Sequence, residues 1–173
     1  NKILVVKRNE EPFKDKWDFV GGYVAKNETP EDGLRREIKE ELGLDSRLNY
    51  VSSFTGTASY REHQYPILSL LYLAELNGEI KLNEENSAYA WMPLAELKDV
   101  AFDSNQKILE YLKSKFVYDM PRVRELVAQL DSSATVDEQS LYKAMLDGYI
   151  SKVEENGKLV GMGWIFPRQT LLR

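Results

Sequence analysis

Residues 22–44, GYVAKNETPEDGLRREIKEELGL, constrain this chain more than any other stretch, because they specify one helix and set three carboxylates along it. Thr29 can cap the N-terminus and Pro30 suits the first helical position. Glu31 and Asp32 complement the positive end of the dipole, and Gly43 fits a left-handed stop. These signals predict a helix over about residues 30–42. At about 100° per residue, Leu34, Ile38 and Leu42 form an apolar stripe, with Glu37, Glu40 and Glu41 at i, i+3 and i+4 along its edge. Like charges at that spacing repel by a few tenths of a kcal/mol per pair, and a bound hard cation would reverse the sign. Taken alone, the three glutamates also fit an ordinary solvated helix face. Gly33 lies on the same side one turn before Glu37, although glycine inside a helix costs about 1 kcal/mol relative to alanine. Its missing side chain is read as room for a ligand or metal.

The wider spacing is far more specific. The stretch fits G-x5-E-x7-R-E-U-x-E-E-x-G-U, with U aliphatic, at Gly22, Glu28, Arg36, Glu37, Ile38, Glu40, Glu41, Gly43 and Leu44. The fixed Gly, Glu and Arg positions, at roughly 6% background each, match by chance with a probability on the order of 10⁻⁹ per starting point. This resembles the Nudix box.

The resemblance implies an α/β fold, an α/β/α sandwich around a mixed sheet. It also implies an enzyme that uses Mg²⁺ or Mn²⁺ to cleave a nucleoside diphosphate linked to another moiety, by water attack on phosphorus. Such hard cations prefer oxygen ligands, which the glutamates supply. Carried over position by position, Glu37, Glu40 and Glu41 become the metal-binding or base carboxylates, with the Gly21 carbonyl as a further ligand and Arg36 orienting a carboxylate. Gly22, Glu28 and Gly43 are the structural positions of the box. Which glutamate is the base stays open, as does the choice among nucleotide sugars, ADP-ribose, dinucleotides and nucleoside triphosphates.

Around the box, Lys2–Arg8 reads as a strand, residues 9–16 as a charged loop, and Trp17–Val20 as a short strand feeding Gly21-Gly22. The last piece is similar to the family's W-x-F-P-G-G, with Val20 in place of proline. Trp17 is read as core packing ahead of substrate contact, and Arg8 equally as a surface residue or a phosphate contact. Strands are expected over residues 49–56 and 66–76, joined by TASYREHQY at 57–65. In that connector Tyr60, Arg61 and Tyr65 can stack on a base or grip a phosphate; the alternative is a plain polar hairpin end. His63 has no ligand partner at metal spacing. Many Nudix sequences carry an acid five or six places before a tryptophan, which here points to Glu85 ahead of Trp91 as a further metal ligand. Residues 103–116 predict an amphipathic helix that closes the domain.

The Nudix-like domain is expected to span residues 1–117, with an earlier strand missing before Asn1. Residues 118–173 read as helices over 121–130 and 136–146, then a hairpin of strands 149–154 and 158–166 around Asn156-Gly157. This order is similar to the first half of a GNAT acetyltransferase, whose acetyl-CoA turn is not found here. The alternative is a family-specific extension that packs on the core or forms a homodimer.

Composition closes off several classes. No cysteine means no disulfide and no thiolate metal site, and favours a cytoplasmic setting. No apolar run approaches the ~20 residues of a membrane span. A net charge of −5 argues against broad nucleic-acid binding and means that an anionic substrate needs a cation. Besides an active hydrolase, two other functions fit: a nucleotide-sensing Nudix module, for which a broken box would be usual, and one half of a bifunctional Nudix–acetyltransferase protein.

Overall fold

The computed structural model describes residues 2–60, 63–116, 120–130, 150–155 and 158–164. The chain divides into two compact units, residues 1–113 and 114–173.

In the first unit, strand β1 (Lys2–Arg8) is the middle of a sheet ordered β2–β1–β5, with β2 at Trp17–Asp18 and β5 at Asn86–Pro93. Both neighbours run antiparallel to it. Successive residues of a strand face opposite sides, so burial of both Val5 and Val6 means that β1 is covered on both faces. Helix α1 (Pro30–Leu42) supplies one cover. Val6 joins Ile38, Leu42 and Leu44 in a buried cluster, with Leu34 at its margin, so the stripe expected from the sequence is the stripe that is buried. The ends of α1 also follow the sequence. Thr29 Oγ1 accepts the Asp32 N–H at 3.1 Å, and the Gly43 N–H returns to the Lys39 carbonyl at 3.0 Å from a φ of 71°, which a side chain would strain.

Strands β3 (Asp45–Tyr60) and β4 (His63–Asn77) form one long antiparallel hairpin, paired from Asp45 with Asn77 to Tyr60 with His63. The connector expected over 57–65 is therefore corrected: the ladder runs through it, with Ala58 opposite Tyr65. Thr57, Tyr60 and Tyr65 are good strand residues, and their polar character signals an exposed arm rather than an irregular loop. Helix α2 (Asp103–Phe116) packs on this arm. Phe54 meets Tyr111 edge-on at 5.3 Å, and Lys107 Nζ donates to the Thr55 carbonyl at 2.8 Å. A Cβ on Gly56 would stand 3.0 Å from Ser104 Cβ, so the glycine permits the close approach. Helices and sheets alternate along this unit in an α/β arrangement, and the strand pairings among the described residues are antiparallel.

In the second unit, α3 (Met120–Leu130) packs against β7 (Lys158–Trp164), which pairs with β6 (Ile150–Glu155). The helix expected over 136–146, the turn at 156–157 and Arg61 lie outside the described residues. Among the described residues, no helix is long and apolar enough to cross a membrane.

Leu42 is 1% exposed within the cluster that joins α1 to β1. Leu42→Ala is expected to lower unfolding free energy by about 2–5 kcal/mol. Urea titration should show a lower midpoint with an unchanged slope.

Candidate active site

One guanidinium organises the acidic face of α1. Arg36 Nε and Nη2 donate to the two oxygens of Glu28 at 3.3 and 3.0 Å, while Nη1 donates to Glu37 Oε1 at 2.8 Å and Glu40 Oε2 at 3.0 Å. Nη2 also donates to the Tyr23 carbonyl at 3.2 Å. Arg36 thereby holds the Glu28 carboxyl below its ordinary value and is itself held more firmly protonated, chiefly by Glu28 and then Glu37. Two glycines make room for this network. A Cβ on Gly22 would stand 2.2 Å from Glu37 Oε1, and one on Gly33 would stand 3.0 Å from Glu28 Oε1. The reading of Gly33 as space for a ligand or metal is corrected: the Glu28 side chain takes that space.

Glu41 is different. It is 6% exposed and has no cationic partner among the described residues: Oε1 accepts the Gly21 N–H at 3.3 Å, and Oε2 accepts Asn86 Nδ2 at 2.7 Å. Burial pushes its carboxyl up to about 7. The two hydrogen bonds pull it down, and the charges of Glu37 and Glu85 add to the rise.

Glu41 and Asn86 line a polar cleft between β1, β2 and β5 that also receives Arg8, Asp18, Gly21 and Glu85. Arg8 is fixed by its Nε, which donates to the Pro12 carbonyl at 2.9 Å, and by the Phe102 ring, whose centroid lies 5.0 Å from its guanidinium carbon. Glu85 is positioned by backbone: its carbonyl accepts the Asn9 N–H at 2.8 Å, and its own N–H donates to Asn83 Oδ1 at 3.1 Å. Of the hairpin residues expected near substrate, Tyr60 pairs with His63 at the last register position of the β3–β4 arm, and Tyr65 is not among the residues lining this cleft. Tyr65 is half-exposed and meets the His63 ring at 6.3 Å.

Two site residues escape a sequence reading. Asp18 is buried, its Oδ1 accepting the Phe19 N–H at 2.9 Å and Asn105 Nδ2 at 2.7 Å, and burial pushes its carboxyl up. Asn86 is the second. Neither belongs to a spaced motif; the available hint was a lone polar residue inside an apolar strand or at its start.

Glu37 and Glu40 face Arg36 while Glu41 faces Gly21 and Asn86, and among the described residues no three acidic, histidine or cysteine side chains converge as a metal-binding group. The donor chemistry nevertheless fits a hard divalent cation. The cleft shared by Glu41 is lined by the further carboxyl oxygens of Asp18 and Glu85, and the repulsion that Glu37 and Glu85 exert on Glu41 is what a cation relieves.

A model of the NUDIX domain matches residues 1–112. The chain is 34% identical over 118 residues to the ADP-ribose pyrophosphatase of Methanocaldococcus jannaschii, a match covering 66% of this chain and 68% of that protein. It is 33% identical over 112 residues to the nucleoside triphosphatase NudI of Escherichia coli, covering 60% of this chain and 78% of that one. Among solved structures, the MutT NUDIX hydrolase of Burkholderia pseudomallei superposes with a TM-score of 0.55 at 26% identity, over 63% of this chain and 86% of its own. The resemblance of the tail to an acetyltransferase finds no support in these matches, and the domain model ends before the tail begins.

A carboxyl whose value is raised on folding binds its proton more tightly in the native state, so stability falls as pH rises from the ordinary carboxyl range through the raised value. Asp18 is such a group. Asp18→Asn, which keeps an oxygen for Phe19 and Asn105, should flatten the fall in stability as pH rises above the ordinary carboxyl range. Urea midpoints of the two proteins across that range check this.

Proposed function

This chain belongs to the Nudix family, and on that premise we propose that it hydrolyses the pyrophosphate linkage of a nucleoside diphosphate joined to another moiety, ADP-ribose and related molecules foremost. Its class, a Nudix-type pyrophosphohydrolase, is also that of its relatives, which include an ADP-ribose pyrophosphatase and a nucleoside triphosphatase. The observation that carries the reading is the complete box, with its last carboxylate, Glu41, buried against a cleft that also holds Glu85 and the fixed guanidinium of Arg8.

Nudix hydrolases generally use a divalent metal, and Glu37, Glu40 and Glu41, with Gly21 and Glu85, are the residues that would hold Mg²⁺ or Mn²⁺ here. Such an ion supplies charge neutralisation to a diphosphate and lowers the pKa of a bound water. The chain's own groups do the rest. Gly21 and Asn86 aim the Glu41 carboxylate, and Arg36 orients Glu37 and Glu40. Arg8 uses Nε on Pro12, leaving its terminal nitrogens for a phosphate. As the water oxygen bonds to phosphorus, the bridging P–O bond breaks with its electron pair on the departing phosphate, and a box carboxylate receives the water proton. Residues 1–117 form the hydrolase and the remainder an extension of it; the absence of cysteine favours a cytoplasmic protein.

Replacing both Glu40 and Glu41 with glutamine should abolish Mg²⁺-dependent turnover, by well over the ~100-fold typical of removing an outer-sphere metal partner, while thermal unfolding stays cooperative. A hydrolysis screen over ADP-ribose, nucleotide sugars, dinucleotides and nucleoside triphosphates, read by mass spectrometry, measures this and identifies the phosphorus attacked. Full activity in the double variant would refute the assignment.

Gly22→Ala tests positioning separately. The added methyl would meet the Glu37 carboxylate that Arg36 holds, so the far end of that side chain must shift and loosen one partly exposed ion pair, and stability should fall by no more than about 1 kcal/mol. Displacing a reacting group by ~1 Å costs roughly 100-fold in rate, so kcat should fall steeply while Tm barely moves.

A further inference from the structure

Residues 9–16, a charged connector by sequence, are tied to the cleft at several points. The Arg8 N–H donates to the Lys16 carbonyl at 3.0 Å and the Asp15 N–H to the Arg8 carbonyl at 2.9 Å, closing the loop on itself. Asn9 reaches across to the segment that carries Glu85, its N–H donating to the Glu85 carbonyl at 2.8 Å and its Nδ2 to the Glu84 carbonyl at 2.9 Å. Lys16 pairs with Asp99 at 3.4 Å. Arg8 and Glu10, at the start of the loop, line the cleft itself.

Within this pinned loop, Phe13 and Asp15 both adopt φ of 67°. The left-handed region is unfavourable for any residue with a side chain, and for a bulky aromatic it is a true outlier that persists only when the surroundings enforce it. At Phe13 it coincides with an exposed ring. The side chain is 41% exposed, and its ring stands edge-on to Phe102, with centroids 5.0 Å apart and planes at 81°. Phe102 is the ring against which Arg8 is stacked, and Lys16 Nζ lies 5.9 Å from the Phe13 centroid. The order Arg8, Phe102, Phe13, Lys16 therefore alternates cation, ring, ring, cation from the cleft lining into the loop.

An exposed loop has no need to hold a phenylalanine outward in a strained conformation. A nucleotide whose phosphates enter the cleft can use an aromatic surface beside it, because every base has a π-face and stacking is sequence-tolerant. We propose that Phe13 is the stacking surface for the planar base of the substrate, with Arg8 taking the adjacent phosphate, so that loop 9–16 sets which substrates are accepted. The proposal rests on the reading of the cleft as a diphosphate-hydrolysing site, and it relocates substrate selection from the hairpin tip to this loop.

The test measures binding to the full chain by calorimetry in Mg²⁺, using two non-hydrolysable probes: α,β-methylene-ADP, which carries a base, and methylenediphosphonate, which carries none. Phe13→Ala should weaken the nucleotide by roughly tenfold and leave methylenediphosphonate unchanged. Phe13→Tyr, which keeps the ring, should bind both probes as the parent does. If alanine loosens the loop, Phe13→Leu keeps an apolar contact with Phe102 but has no π-face, and should give the same selective loss. Equal weakening of both probes, or no weakening of the nucleotide, overturns the stacking role while leaving the hydrolase reading intact. Failure of the parent protein to bind either probe overturns both.

Discussion

The fork of Arg36 is the interaction on which the rest of the site depends. Helix α1 carries carboxylates at positions where they repel, and a guanidinium is the one side chain with enough fixed donors to engage several at once. It spreads those donors over Glu28, Glu37, Glu40 and the Tyr23 carbonyl. Two of these partners lie in the segment before the helix, so the group that neutralises the helix face also straps the 22–28 loop to it. A lysine would supply the charge as a point and lose the bidentate grip on Glu28. The glycines follow from the same demand, because a methyl at Gly22 or Gly33 would meet the clamped carboxylates.

The helix is electrostatically two-sided as a result. Glu37 and Glu40 share a cation, whereas Glu41 is buried on dipoles alone. Burying a carboxylate without an ion pair is unfavourable, which appears here as the rise of its pKa to about 7. Hydrogen bonds from Gly21 and Asn86 offset part of that cost, and they come from the loop after β2 and the start of β5. Three separate pieces of backbone are thus held together by the one carboxylate that most needs partners. A fold that encloses this group in a cleft shared with Asp18 and Glu85 keeps it there at a cost to its own stability.

Much of this was legible in the sequence, for identifiable reasons. The limits of α1 were readable because caps act locally: Thr29, Pro30 and Gly43 each announce a position independently of the fold. Its buried face was readable because period alone places Leu34, Ile38 and Leu42 together. Asp18 and Asn86 were not readable, because their burial is set by contacts with Asn105 and Glu41, 87 and 45 residues away in the chain. The hairpin arm misled in the opposite direction. Tyr60, Arg61 and Tyr65 have the chemistry of a binding loop, but the pairing of Ala58 with Tyr65 extends the strands through that stretch. Residue type suggested a loop there; strand register shows an extended ladder instead.

The same electrostatics bears on where substrate affinity comes from. The chain carries a net charge of −5, and among the described residues lining the cleft Arg8 is the one cation, set against Glu10, Asp18, Glu41 and Glu85. Two unit charges 4 Å apart interact by about 1 kcal/mol in water and about 4 kcal/mol in the partly screened surroundings of a protein surface. Burial disfavours the charged forms of Glu41 and Asp18, yet four carboxyl groups to one guanidinium leave the lining short of positive charge. On the proposed function, attraction for a diphosphate comes from a cation held by the box and from contacts that do not depend on charge. Those contacts are available where loop 9–16 presents an aromatic ring. Helix α1 gathers the charged groups, and on the stacking proposal a different element, with its own backbone strain, selects the molecule.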